Sequence, residues 1–120
     1  MALDWAAAGI RGLLIDLDGV VYTGRQAIPG SAWFLAEARQ RETAFLLVTN
    51  NSTASPEEVA ERLSGMGIEV RPDEILTTAQ AAAGYVRAHT PRGSRSRVQL
   101  IGESGLRQAV LREGLEIVED

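Results

Sequence analysis

Two carboxylates one residue apart, Asp16 and Asp18, close the apolar run Leu13-Leu14-Ile15 and are followed at once by Gly19. A short continuous apolar run is the pattern of a fully buried parallel strand, so Asp16 falls where such a strand meets solvent. In open α/β sheets the ligand crevice lies at that end. Carboxylates this close take different tasks when their surroundings differ: one can ligate a cation and attack, while the other keeps a proton to donate. The run therefore points to a phosphate-handling aspartate nucleophile with acid, base and metal chemistry beside it. The alternative is a turn, because Asp and Gly are common turn residues and Asp side chains bond their own backbone. The triplet alone leaves both open.

The elements that must position these residues follow from the apolar pattern. Val20 to Tyr22 reads as an extended flap closed by Thr23-Gly24 and the Ile28-Pro29-Gly30 turn. A helix is predicted from Ser31, with Trp33, Phe34, Leu35 and Ala38 on its apolar face. Ala44 to Val48 is a second buried strand, ending in the polar lip Thr49-Asn50-Asn51-Ser52-Thr53. Ser55-Pro56-Glu57-Glu58 reads as a capping box with proline at the first helical position. Val59, Leu63 and Met66 then recur at helical spacing, and Gly67 is placed to end the helix in a left-handed conformation. After a Pro72-Asp73 turn, Ile75 to Thr77 is a third strand, and the alternation of strand and helix favours a parallel sheet.

From Ala79 a further helix carries Ala82, Ala83, Tyr85 and Val86 toward His89, and a domain boundary is expected near Thr78. His89, the only histidine, sits at a helix end, where interaction with the helix dipole is the default, and it is assigned no chemistry. Thr90 to Arg97 reads as a loop holding Arg92, Arg95 and Arg97. Val98 to Ile101 is a strand, Ser104 is expected to cap a helix with Leu106, Val110 and Leu111 on one face, and Leu115 to Val118 begins another strand after Gly114.

Composition narrows the function classes. A net charge of -4 disfavours a nucleic-acid scaffold, which needs a concentrated basic surface. No run approaches membrane-spanning length and no leader is apparent at Met1-Ala2-Leu3-Asp4-Trp5, so a cytoplasmic protein is expected. Cysteine is absent, which excludes disulfides, thiolate metal sites and a cysteine nucleophile. All 12 basic residues are arginine, and there is no lysine.

Asp16-Leu17-Asp18-Gly19-Val20 together with Leu46-Leu47-Val48-Thr49-Asn50-Asn51 resembles the first two motifs of the haloacid dehalogenase superfamily. Tyr22-Thr23-Gly24, Ile28-Pro29-Gly30-Ser31, Gly67-Ile68 and Ile75-Leu76-Thr77-Thr78 resemble its type IIA branch, which includes NagD-like sugar phosphatases, para-nitrophenylphosphatases and phosphoglycolate phosphatases. Val98-Gln99-Leu100-Ile101-Gly102-Glu103-Ser104-Gly105-Leu106 is similar to the opening of that branch's cap domain. The resemblance implies an α/β fold, the N-terminal half of a Rossmann-like parallel-sheet core over residues 1–78 followed by the beginning of an α/β cap over residues 79–120. It implies a phosphatase acting on a small phosphorylated metabolite, with no nucleic acid or membrane partner and with copies associating, if at all, through the cap. Asp16 would attack phosphorus to form an aspartyl-phosphate, and Asp18 would act as general acid and then base. Mg2+ would be held by the Asp16 carboxylate and the Asp18 backbone carbonyl. Gly19, Thr49 and Asn50 would meet the phosphoryl oxygens.

The chain departs from the family pattern at two places. The third motif requires a lysine, which an arginine's planar fork does not replace, and there is none. The fourth requires a glycine-aspartate pair and a further aspartate, and Ile101-Gly102-Glu103 imitates it too weakly to count. The expectation is therefore a truncated chain, inactive alone, with the alternative of a non-catalytic relative that binds phosphate or a partner chain. In the family sheet the nucleophile strand is central, so a chain ending here is expected to expose it as an apolar edge prone to association.

Overall fold

A computed structural model of the chain describes residues 4, 5, 7–91 and 96–119. Three strands form a parallel sheet in the order β1 (Gly12–Asp16), β4 (Ala44–Thr49), β5 (Ile75–Thr77). Between β1 and β4 lie a two-stranded antiparallel hairpin, β2 (Tyr22–Thr23) and β3 (Gln26–Ala27), and helix α1 (Ser31–Gln40). Helix α2 (Pro56–Ser64) and a 3-10 turn at Pro72–Glu74 connect β4 to β5. Helix α3 (Thr78–Ala88) leads to a separate parallel pair, β6 (Arg97–Gln99) and β7 (Glu116–Val118), joined through α4 (Ser104–Arg112).

Register explains which sheet face is covered. Leu13 and Ile15 pair with Phe45 and Leu47, and Leu47 pairs with Ile75, so these side chains share one face and enter a core with Leu17, Leu35, Val59 and Leu63. Leu14 pairs with Leu46 on the other face and is 80% exposed. The run Leu13–Ile15 is thus covered on one face rather than two, and β1 is an edge of the sheet as expected. A second cluster, Ala79, Ala83, Ala109, Val110 and Leu115, lies between α3, α4 and β7. Two cores in one short chain give an elongated molecule of 55 × 33 × 18 Å.

The helix ends show how local chemistry sets the boundaries. Ser55 caps α2, its Oγ accepting from the Glu58 N–H at 3.2 Å, with Pro56 in the first turn. The expected reciprocal bond differs: the Glu58 carboxylate accepts from the Ser55 hydroxyl. Gly67 adopts φ +82°, which a side chain would strain, just beyond the helix end. Ser55→Ala leaves that N–H without its acceptor in a buried corner and is expected to lower unfolding free energy by about 1 kcal/mol in a urea titration.

Several expected faces are corrected. Trp33 is 67% exposed, because α1 turns Leu35 and Ala38 inward instead. On α3 the buried residues are Ala79 and Ala83, while Tyr85 stacks on His89 at 4.0 Å in solvent. On α4, Gly105, Ala109 and Val110 are buried and Leu111 is exposed. Ser104 does not cap α4: Glu103 holds that position without a side-chain bond, and Ser104 is the first helical residue. Thr77 does cap α3, in a reciprocal box with Gln80. Arg97 belongs to β6 rather than to the preceding loop, and Arg92 and Arg95 lie outside the described residues.

Candidate active site

Asp16 is the last residue of β1, and Asp18 follows one buried residue later. Leu17 anchors the pair. Its side chain is fully buried, its N–H donates to the Val48 carbonyl at 3.0 Å, and its own carbonyl accepts from Val21 at 2.9 Å. Gly19 then takes φ +81°, the left-handed region that favours glycine, and its N–H donates to the Tyr22 carbonyl at 2.8 Å. This tight return leaves both aspartates exposed at the C-terminal end of the sheet.

Parallel register brings the second segment alongside. Asp16 pairs with Val48, so Thr49 and Asn50 emerge from β4 at the level of Leu17 and Asp18. The buried Thr49 hydroxyl donates to Asp18 Oδ2 at 3.0 Å, and the buried Tyr22 hydroxyl donates to Asp18 Oδ1 at 2.8 Å. Burial first, and the hydrogen bond to Asp18 second, raise the Tyr22 phenol above its ordinary pKa. The lip continues as a side-chain turn: Asn51 donates its N–H to Thr49 Oγ1, and its Oδ1 accepts from both the N–H and the hydroxyl of Thr53. Thr78 Oγ1, at the start of α3, donates to the Asn50 carbonyl at 3.3 Å.

The structure thus places all five candidate residues, Asp16, Asp18, Gly19, Thr49 and Asn50, at one end of the sheet. It joins Asp18 directly to Thr49. Sequence reasoning missed Tyr22 as a partner of Asp18. The signal was its place just beyond a glycine-centred return, which brings the chain back to the carboxylate it has just left.

A divalent cation can be tested against this donor set. Among the described residues no group of three or more His, Cys, Asp or Glu side chains converges. Asp16 and the Asp18 backbone offer only oxygen, at an exposed strand end. That set suits Mg2+, which is held by one or two carboxylates and keeps water or phosphate oxygens for its remaining positions.

The family model for haloacid dehalogenase-like hydrolases matches residues 13–116. The chain belongs to this family. Within it, NagD and p-nitrophenylphosphatases among its structural neighbours are consistent with the type IIA branch. The chain is 40% identical over 110 residues to an acid sugar phosphatase of Staphylococcus haemolyticus, covering 92% of this chain and 41% of that protein. Among solved structures, a hypothetical protein from Pyrococcus horikoshii superposes with a TM-score of 0.83 at 34% identity, over 89% of this chain and 40% of the other. A glycerol phosphate phosphatase from Mycobacterium tuberculosis, solved in complex with magnesium, gives 0.80 at 37% identity, over 93% and 33%. The chain therefore spans about two-fifths of the length of the relatives it matches. Its parallel sheet is the Rossmann-like core of a haloacid dehalogenase-like protein. No helix among the described residues is long and apolar enough to cross a membrane.

Proposed function

We propose that this chain supplies the nucleophile half of a Mg2+-dependent phosphatase for a small phosphorylated metabolite, a sugar phosphate or a comparable monoester. The observation that supports it best is the direct bond from Thr49 to Asp18 at the mouth of two register-matched strands, beside Asp16. Asp16 attacks phosphorus in line, and the leaving oxygen departs as the P–O bond breaks, giving an aspartyl-phosphate. Asp18, when protonated, gives its proton to that oxygen. As a carboxylate it then takes a proton from the water that hydrolyses the acyl phosphate.

The Tyr22 and Thr49 hydroxyls fix the Asp18 side chain in place for both steps. Asn50, with the Gly19 backbone, meets the phosphoryl oxygens. Mg2+, when bound by Asp16 and the Asp18 carbonyl, offsets charge between nucleophile and phosphate. The lysine to which the family assigns acceptance of charge is absent from this sequence. On this reading residues 1–120 alone are not expected to turn over substrate. In this reading residues 1–78 belong to the core and 79–120 open the cap. The protein works in the cytoplasm on small molecules, not on nucleic acid, and any association of copies runs through the cap.

The test is phosphate release by the protein of the whole reading frame containing these residues, assayed on sugar phosphates, glycerol phosphate and para-nitrophenyl phosphate. Hydrolysis is expected that disappears with EDTA and returns with Mg2+. Hydrolysis indifferent to chelation overturns the metal assignment, and inertness toward every monoester overturns the activity.

A further inference from the structure

We propose that Gly105, in the first turn of α4, is a positioning residue for the polar lip and, through it, for Asp18. Glycine costs a helix interior about 1 kcal/mol relative to alanine, and Gly105 has no left-handed backbone to account for its presence. Close approach accounts for it. A Cβ at this position would lie 2.8 Å from the Ser52 carbonyl oxygen and from the Thr53 and Ala54 carbonyl carbons, all of them backbone atoms that cannot rotate aside. Without that Cβ, the N-terminal turn of α4 seats directly on the loop after β4, and the Gly105 N–H donates to the Thr53 carbonyl at 3.2 Å.

From that contact the hydrogen bonds run on without a break. Thr53 donates to Asn51 Oδ1, Asn51 donates its N–H to Thr49 Oγ1, and Thr49 donates to Asp18 Oδ2. The far end of α4 is tied to the same region, because Arg112 makes a two-point bond to Glu57 in the first turn of α2, at 2.9 and 3.3 Å. Helix α3, packed on α4, adds the Thr78 bond to the Asn50 carbonyl. The lip is therefore held from the side of residues 79–120 as well as by its own strand. A shift of α4 has a rigid route to Thr49, Asn51 and Asp18.

The catalytic consequence rests on the phosphatase reading, whereas the mechanical coupling does not. Two measurements on the protein of the whole reading frame separate them: backbone amide shifts without ligand, and affinity for inorganic phosphate in the presence of Mg2+. Gly105→Ala is expected to move the amides of Asp18, Thr49 and Asn51 more than those of Gly12 to Leu14, and to weaken phosphate binding about five- to a hundredfold. Gly102→Ala is the matched control, since the one close approach of its Cβ, at 2.8 Å, is to the end of the flexible Leu106 side chain and no backbone atom of the lip lies against it. It is expected to leave both readouts near wild type.

Shifts confined to Ser52–Ala54 and α4, with phosphate affinity unchanged, would overturn the proposal. If the wild-type protein of the whole reading frame binds no phosphate, the phosphatase reading falls and the amide shifts still decide the coupling. Should Gly105→Ala not fold, Arg112→Gln frees the other end of α4 without inserting an atom. It is expected to shift the same amides by less, and silence at Thr49 and Asn51 would overturn the coupling.

Discussion

In the protein of the whole reading frame, Asp16→Asn is expected to lower Mg2+-dependent phosphate release by about four to six orders of magnitude, the scale on which removal of a covalent nucleophile acts. The fold is expected to be unaffected. Asp16 is exposed at the end of β1, and the core beneath it is built by Leu17, Ile15 and Leu47. An isosteric exposed replacement changes stability by no more than about 0.5 kcal/mol. The variant thus separates two readings of the same half-site. In a phosphatase, turnover disappears while Asn50 and the Gly19 backbone still bind phosphate. In a non-catalytic relative, the parent protein has no turnover to lose, and both forms bind phosphate alike. Activity retained at a tenth of wild type or more would remove Asp16 from the nucleophile's role.

Arg39→Met is expected to destabilise the chain by about 2–3 kcal/mol, a large share of the 5–15 kcal/mol typical of a whole domain. Glu74 is 8% exposed, and its Oε1 accepts from Arg39 Nη2 at 2.6 Å and from the Arg71 N–H at 2.8 Å. The same arginine donates to the Glu69 carbonyl and lies over the Phe45 ring at 5.2 Å. It therefore fastens the end of α1 to the turn that launches β5. Removing it leaves a buried carboxylate with one backbone donor and a more distant guanidinium, Arg71, at 3.8 Å. The loss falls at or below the low end for a fully buried pair because the Arg39 side chain is 35% exposed and solvent screens it.

Glu74→Gln costs less, since the freed guanidinium still reaches water. The double variant is expected to be more stable than the sum of the singles implies, by about 1–2 kcal/mol in a urea-denaturation cycle. Additive singles would show that Arg39 acts through packing on Phe45 rather than through Glu74.

Much of the site was legible in the sequence because it depends on where strands stop. An apolar run that ends in carboxylates and another that ends in Thr49-Asn50 fix the two lips, and parallel register then brings them level. The start of α2 was equally plain, since the Ser55 side chain and Pro56 act within the first turn itself, whereas the helix ends at Ser64, earlier than Gly67. Partnerships across space were not legible. The glycine-centred return brings Tyr22 back toward Asp18 without saying that its hydroxyl reaches the carboxylate, and nothing in the sequence announces that Gly105 is glycine because Thr53 lies against it. Helix faces were misread where small residues do the packing: Ala79, Ala83 and Ala109 bring α3 and α4 close, while the larger Tyr85, Leu111 and Trp33 face water. Hydrophobicity ranks side chains by size, and close helix approach selects the small ones.

Leu17 carries a consequence for redesign. A side chain that touches no substrate fixes the spacing and tilt of Asp16 relative to Asp18, because it pins the residue between them into the core. Neither carboxylate can be moved alone by altering the exposed surface around it. Retuning the pair for a bulkier or more acidic leaving group means reshaping the hydrophobic volume below, at position 17 or at its core neighbours Leu47 and Leu63. On the proposed mechanism the reaction geometry is in this sense a property of the interior, and libraries aimed at new phosphate esters belong there as much as at the rim.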